Sequence, residues 1–162
     1  MCYHCHDNLV NDDDFLRRIT NTFLIRDPAK SISSHLYINP NATLDEIGYE
    51  KENGIFNRVV SLTGAFPIVI DAQDLVLNPR KTIKEYCDFL KLPFIEGSLS
   101  WNSGHREEWN TWKGWHKSVS SSEGIEEIKS IYKETITNNK KASYYYNHHL
   151  PYYNKLLRYV NS

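Results

Sequence analysis

The sequence predicts an α/β fold, in which a parallel sheet is flanked by helices. Two short runs of apolar and β-branched residues, 22–25 and 66–70, have the length and composition of buried strands. The segments around them carry apolar residues every three or four positions, which is typical of helices. Strands that alternate with helices in this way indicate a parallel sheet, and 162 residues suffice for one ordinary domain.

The first half of the fold follows from local signals. The acidic run 12–14 predicts the start of a short helix, because acidic side chains favour a helix N-terminus. The strand 22–25 comes next and ends before Pro28. Since proline suits the first helical turn, we expect a helix from 28 to about 37 with Asp27 as its N-cap.

The second strand is framed by two further helices. Thr43 and Glu46 have the spacing of a capping box, which predicts a helix from there to Gly64. After the strand at 66–70, the Asn-Pro pair at 78–79 opens a helix whose apolar positions fall on one face.

The segment 98–122 differs in character, being rich in Trp, Ser, Gly and His without clear periodicity. It is predicted to be a functional loop or lid. Its tryptophans pack onto the core or line a pocket, and we expect at least one of each. Apolar spacing predicts a helix around 125–132 and a last helix that contains residues 152–160. The expected organisation is one domain, 1–162, with a core at about 10–100 and C-terminal helices in 123–162.

The composition argues against several classes of protein. The formal net charge of −1 argues against general binding to nucleic acid. No apolar run approaches the ~20 residues that cross a bilayer, and no signal peptide is visible. Three cysteines do not form a disulfide scaffold. A cytoplasmic protein without membrane or nucleic-acid partners is therefore expected.

The strongest chemical feature is the segment from Phe23 to Ser34. A buried strand delivers Arg26 at its carboxyl end, and a helix N-terminus follows directly. Parallel sheets bind ligands at that edge, and Arg, Ser and helix amides favour a phosphate or sulfate. The alternative is that Arg26 pairs with Asp27 or another neighbouring acid.

This segment resembles the 3′-phosphate-binding motif of the sulfotransferases that use 3′-phosphoadenosine-5′-phosphosulfate (PAPS). In that family an arginine ends a strand and a serine eight residues later joins it on the 3′-phosphate; Arg26 and Ser34 have this spacing. Further segments match a bacterial-type branch of the family in order and type, over roughly residues 10–118. They are Glu46–Tyr49, Phe66–Asp71, Leu75–Pro79, Leu90–Phe94 and Ser100–Trp101.

The resemblance implies a partial P-loop-type sulfotransferase fold that binds PAPS or 3′,5′-adenosine bisphosphate. It implies transfer of a sulfuryl group to a hydroxyl acceptor, a small molecule or a carbohydrate. The family's 5′-phosphosulfate loop has no counterpart here, since none of the seven glycines lies in a strand–Gly-rich–Lys–Ser/Thr context. We therefore expect an N-terminally truncated domain. The alternative is a non-catalytic relative that senses nucleotide or binds a protein.

The resemblance also suggests roles for five more residues. The family uses a His or Glu as base, and His4 and His6 lie nearest the segment where that base is expected; the alternative is that both are exposed residues near a terminus. Arg106, Lys113 and Lys117 match the basic late loop that folds over the nucleotide. A sheet edge left open by truncation favours a homo-oligomer that covers it.

Three other patterns are weaker. The sequence Cys2-Tyr-His-Cys5-His6 matches the haem-attachment pattern formally, and zinc at these residues lacks an obvious fourth ligand, so no metal is expected. The tyrosine-rich tail 144–153 is interpreted as packing surface, with an acceptor site as the alternative.

Overall fold

The computed structural model describes residues 10–127 and 131–160, apart from the side chains of 112–115 and 117. Within these ranges we number the regular elements in chain order. They are α1 (Asp13–Arg18), β1 (Thr22–Ile25), α2 (Pro28–Ile38), α3 (Leu44–Ile47), α4 (Tyr49–Thr63), β2 (Ile68–Asp71), α5 (Ala72–Leu77), α6 (Pro79–Leu90), α7 (Lys113–Ser120) and α8 (Lys140–Leu157). Two compact units result, one with the described residues up to Ala72 and from Tyr132 onward, the other from Gln73 to Ile131.

The first unit is built on a parallel pair of strands, as predicted. Thr22 of β1 pairs with Ile68 of β2, and the register ends with Ile25 opposite Asp71. On its other side β2 forms a parallel bridge from Val69 to Val160. Within the described ranges the outer edge of β1 has no strand beside it. This mixed α/β architecture, with a two-stranded parallel sheet flanked by helices, is compatible with a partial sulfotransferase fold.

Two apolar clusters hold this unit together. The first packs the sheet against α1, α4 and α8; its buried members are Leu16, Phe23, Ile25, Phe56, Val59, Val69 and Leu156. The second packs α2 against α8; its buried members are Ile32, Leu36, Ala42, Ala142 and Tyr145. Both clusters depend on α8, so the C-terminal helix is part of the core and not an appendage.

Most predicted helix boundaries are confirmed. The Asp27 carboxylate accepts a hydrogen bond from the Ala29 amide at 2.8 Å and caps α2. The capping box is present, with the Glu46 carboxylate 3.2 Å from the Thr43 amide nitrogen. The predicted helix from Thr43 to Gly64 is nevertheless two helices, because Gly48 adopts φ 88° and turns the chain between α3 and α4.

The C-terminal predictions were partly wrong. Residues 125–127 and 131–132 are not helical, and Ile131 is 99% exposed, so apolar spacing there did not mark a buried face. The last helix starts at Lys140, passes through Pro151 and ends before Tyr159. Its buried stripe consists of Ala142, Tyr145, His149 and Leu156. This stripe of small, aromatic and polar residues is invisible to a search for aliphatic periodicity.

The second unit contains the segment predicted as an irregular loop. It holds a 3₁₀ turn at Glu96–Leu99, another at Glu107–Trp112 and the helix α7 directly after it. The loop prediction therefore misses a helix, in a stretch where Gly114 and several serines give little helical signal. No helix in the described ranges is long and apolar enough to cross a lipid bilayer.

Candidate functional site

The candidate site lies at the carboxyl end of β1, where the paired residues Ile25 and Asp71 close the ladder. Arg26 comes next and is partly buried. Among the residues that the structure describes, its guanidinium forms no hydrogen bond and no ion pair. The alternative pairing with Asp27 is therefore not found, and the cation at the end of this strand remains available for an anion.

The backbone of Arg26 is held by a buried tyrosine. The Tyr49 hydroxyl donates a 2.6 Å hydrogen bond to the Arg26 carbonyl oxygen, and Tyr49 is only 5% exposed. The same hydroxyl interacts with the Ser31 side chain on α2. Burial raises the pKa of Tyr49, so the phenol stays protonated and continues to donate. Tyr49 thus ties the end of β1 to the first turns of α2.

A second tyrosine supports the first from α8. The rings of Tyr49 and Tyr153 meet edge to face with centroids 6.2 Å apart. The Tyr153 hydroxyl donates a 2.8 Å hydrogen bond to Oδ2 of the buried Asp71. Burial and the Asp71 carboxylate both raise the pKa of Tyr153. Tyr49, Tyr153 and Asp71, which we call the tyrosine clamp, join the ends of both strands to α8.

His149 completes the packing behind Tyr49. The two ring centroids lie 5.7 Å apart, and His149 is 1% exposed. Its Nε2 lies 3.0 Å from the Leu44 carbonyl oxygen, which can only accept, so Nε2 carries the proton. Nδ1 is buried and has no hydrogen-bond partner in the part of the chain that the structure describes. Burial lowers the pKa of this imidazole, which favours the neutral ring.

The N-terminus of α2 contributes less to an anion site than the sequence suggested. Pro28 has no amide hydrogen, and the Ala29 amide is already bound by the Asp27 carboxylate. A carboxylate at a helix N-terminus satisfies the dipole and repels a second anion. Any phosphate here would therefore depend on side chains, above all Arg26, and less on the first amides of the helix.

The serines of α2 have separate roles. Ser33 is buried and its hydroxyl donates to the Ala29 carbonyl oxygen at 2.8 Å. Ser31 interacts with Tyr49. Ser34 is partly buried, and its hydroxyl has no partner among the described residues. Ser31 and Ser34 are three positions apart and so share one face of the helix. The serine selected by spacing from Arg26 is thus the one whose hydroxyl is available to a ligand.

The other predicted nucleotide contacts lie in the second unit. Arg106 is exposed and directly precedes the 3₁₀ turn Glu107–Trp112. Lys113 and Lys117 both belong to α7. Within this segment the rings of Trp109 and His116 stack, with their centroids 5.1 Å apart. The five predicted nucleotide contacts are therefore divided between the units: Arg26 and Ser34 belong to the first, and the three basic residues belong to the second.

The predicted catalytic residues His4 and His6 lie outside the described residues, as do Cys2 and Cys5. Within the described ranges no group of three or more His, Cys, Asp or Glu side chains could hold a metal ion. Trp101 lines a pocket, as expected for one of the tryptophans. Trp101 and Trp109 are both partly buried, so neither of them is a fully buried core residue.

Sequence reasoning did not assign the tyrosine clamp. Tyr49 and Asp71 belong to segments that carry the family resemblance, but the residues they bond are distant along the chain. A signal was nevertheless present. Asp71 directly follows an apolar strand run, a position where a charged group needs a buried partner.

Comparison with known proteins places these observations in a family. A family model described as a sulfotransferase domain matches residues 1–156. Branched-chain-amino-acid aminotransferase-like protein 1 of Arabidopsis thaliana is 32% identical over 117 residues, which are 72% of this chain and 21% of that protein. Branched-chain-amino-acid aminotransferase-like protein 2 of the same plant is 32% identical over 101 residues, 59% of this chain and 18% of that protein.

The chain thus spans about a fifth of the length of these curated relatives. No solved structure matches it significantly. The family match covers nearly all of the chain, including β1, α2, β2 and the tyrosine clamp. The chain belongs to the sulfotransferase domain family.

Proposed function

We propose that this chain binds a 3′-phosphoadenosine nucleotide, with the 3′-phosphate held by the Arg26 guanidinium and the Ser34 hydroxyl. One observation carries the proposal: a partly buried arginine at a strand end has no partner among the described residues, although its backbone is fixed by Tyr49. A planar guanidinium suits a phosphate because two of its N–H groups can donate in parallel. The unpartnered Ser34 hydroxyl supplies a third donor.

The activity proposed for the nucleotide PAPS is sulfuryl transfer to a hydroxyl acceptor, a small molecule or a carbohydrate. The acceptor oxygen attacks sulfur in line, the bond from sulfur to the phosphate oxygen breaks, and 3′,5′-adenosine bisphosphate leaves. The acceptor's proton passes to a base, for which His4 and His6 are the candidates. Arg106, Lys113 and Lys117 are proposed as further nucleotide contacts that offset the phosphate charge.

A second candidate function is nucleotide binding without catalysis. It is favoured by a feature of the sequence: no glycine of the chain lies in a strand–Gly-rich–Lys–Ser/Thr context that would hold the 5′-phosphosulfate. Such a module would bind 3′,5′-adenosine bisphosphate through Arg26 and Ser34 and would signal its level to a partner.

The test is calorimetric titration with 3′,5′-adenosine bisphosphate and, in parallel, with adenosine 5′-monophosphate. Wild type is expected to prefer the bisphosphate. Arg26→Ala should lose roughly tenfold or more in affinity for it, because a hydrogen bond to a charged group contributes about 1.5–3 kcal/mol. Arg18→Ala is the matched control, since Arg18 is an exposed arginine of α1.

The outcomes separate the hypotheses. Equal binding of both nucleotides, or no loss in Arg26→Ala, would reject the 3′-phosphate site. Binding of the bisphosphate together with turnover of PAPS by any hydroxyl acceptor would establish the enzyme. Binding without turnover would favour the nucleotide-binding module.

A further inference from the structure

The second unit contains a pocket that the proposed nucleotide site does not use. Its volume is about 200 Å³, and Trp101, Val119, Ile125 and Gly124 form its largely apolar walls. Ser118, Ser122 and Glu126 also line it. An engineered apolar cavity of about 150 Å³ holds one benzene molecule, so this pocket has room for a single aromatic ring with a short substituent.

Backbone contacts join the two chain segments beside the pocket. Ser100 and Gly124 form an antiparallel bridge, and the Trp101 amide donates to the Glu123 carbonyl oxygen at 3.0 Å. A Cβ atom at Gly124 would lie 3.1 Å from the Leu99 carbonyl oxygen, which is tighter than an ordinary contact. The two chain segments therefore approach closely beside the pocket that Trp101, Val119 and Ile125 line.

Two of the three polar residues that line the pocket, Ser122 and Glu126, offer hydrogen-bond acceptors. The Ser122 hydroxyl already donates to the Val119 carbonyl oxygen at 2.9 Å, which leaves its lone pairs for a ligand. Glu126 is exposed, and its carboxylate has no hydrogen-bond or ion-pair partner among the described residues. A ligand that brings donors complements these two residues, and a positive charge complements Glu126.

We propose that this pocket binds a small aromatic molecule with a protonated amine, the ring lying against Trp101 and the ammonium group facing Glu126. An aromatic ring gains from contact with the indole as well as from burial. A carboxylate or phosphate ligand is disfavoured, because it would face Glu126 and the lone pairs of Ser122. The proposal does not depend on nucleotide binding at Arg26.

The test uses three probes of one shape: 2-phenylethylamine, the uncharged 2-phenylethanol and the anionic phenylacetate. Titration up to about 10 mM, followed by saturation-transfer NMR and calorimetry, covers the affinities that so small a ligand reaches. We expect the amine to bind roughly fivefold more tightly than the alcohol, the scale of an exposed charge pair, and phenylacetate to bind most weakly.

Two variants locate the site. Glu126→Gln should abolish the preference for the amine while keeping the ring in place, and Val119→Trp should fill the pocket and abolish binding of all three probes. Glu108→Gln is the matched control, because Glu108 is exposed in the same unit and is absent from the pocket walls. Arg26→Ala should leave amine binding unchanged.

Three results would overturn the proposal. They are no saturable binding of any probe, binding of phenylacetate as tight as that of the amine, and an amine preference that survives Glu126→Gln. Since Glu126 is exposed, its substitution does not endanger folding, and the proposal stays falsifiable even if Val119→Trp fails to fold. Loss of nucleotide binding alone would affect only the proposed function.

Discussion

The Tyr49 hydroxyl lies 2.6 Å from the Arg26 carbonyl oxygen, and this hydrogen bond joins two residues that are 23 positions apart. The donor side is shielded from water, since Tyr49 is only 5% exposed, and a hydrogen bond in such surroundings is stronger than one in water. The bond fixes the backbone from which the Arg26 side chain extends. The proposed phosphate contact therefore depends on a tyrosine that itself need not touch the nucleotide.

Tyr49→Phe tests this dependence. We expect the free energy of unfolding to fall by about 1 kcal/mol, the usual net contribution of one hydrogen bond. Affinity for 3′,5′-adenosine bisphosphate should fall several-fold, because Arg26 is no longer fixed, whereas affinity for adenosine 5′-monophosphate should hardly change. Both affinities are measured by calorimetry and stability by urea unfolding.

The control for this variant is Tyr37→Phe. Tyr37 is 72% exposed on α2, and removal of its hydroxyl should alter neither stability nor affinity. If Tyr49→Phe lowered stability but left the ratio of the two nucleotide affinities unchanged, Tyr49 would have a purely structural role.

The pH dependence of stability should report on His149. Burial lowers its pKa from the ordinary 6.5, while the bond to the Leu44 carbonyl oxygen opposes the shift. Charges near the ring come from His148 on its own helix, Glu50 on α4 and Asp45 on α3. Because the unfolded chain binds the proton more readily, the contribution of neutral His149 to stability is fully present above pH 6.5. It is lost as pH falls through the lower pKa of the folded state.

We therefore expect the free energy of unfolding to decrease between pH 7.5 and pH 5, with a limiting slope of about 1.4 kcal/mol per pH unit for one group. His149→Gln should make this slope shallower, since glutamine cannot take up the proton. His35, whose pKa burial also lowers, keeps part of the slope in the variant. An unchanged slope in His149→Gln would contradict the assignment, and exposed His105→Gln serves as the control.

The sequence predicted those parts of the fold that local chemistry decides. The strand at 22–25, the Asp27 cap and the capping box of Thr43 and Glu46 all involve residues a few positions apart, and each is confirmed. Spacing also singled out Ser34, whose hydroxyl the structure leaves without a partner among the described residues.

The other features of the fold and of the candidate site could not be predicted from local patterns, because they depend on contacts between residues that are far apart along the chain. Tyr153 and Asp71 are 82 positions apart, and no local pattern relates them. The buried face of α8 uses Tyr145 and His149 where an aliphatic stripe is usual, so its start and its role in the core were missed. The N-terminus of α2 is a different case, because the local Asp27 cap that the sequence predicts itself occupies the Ala29 amide and so leaves less of this end for an anion.

Self-association through β1 remains a prediction. Leu24 lies in the middle of this strand and is 57% exposed, and the strand contains no charge or proline of the kind that protects natural sheet edges. We expect the chain to form oligomers whose size grows with concentration in sedimentation velocity, and Leu24→Lys to shift the distribution towards monomer. Leu92→Lys is the matched control, because Leu92 is 53% exposed but lies outside any strand. A chain that stays monomeric at all concentrations, or an equal effect of both variants, would reject the edge as the interface.

Two neighbouring serines of α2 allow the phosphate site to be separated from the stability of its helix. Ser34→Ala removes a hydroxyl without a partner among the described residues, so stability should stay constant or rise by up to about 0.5 kcal/mol, since alanine favours a helix. Its affinity for 3′,5′-adenosine bisphosphate should fall roughly tenfold, as for one hydrogen bond to a charged group. Ser33→Ala removes a hydroxyl that is buried and bonded to the Ala29 carbonyl oxygen, and it should leave affinity unchanged. If the two variants lowered affinity equally, the effect would come from the helix as a whole, and Ser34 would not be a ligand of the 3′-phosphate.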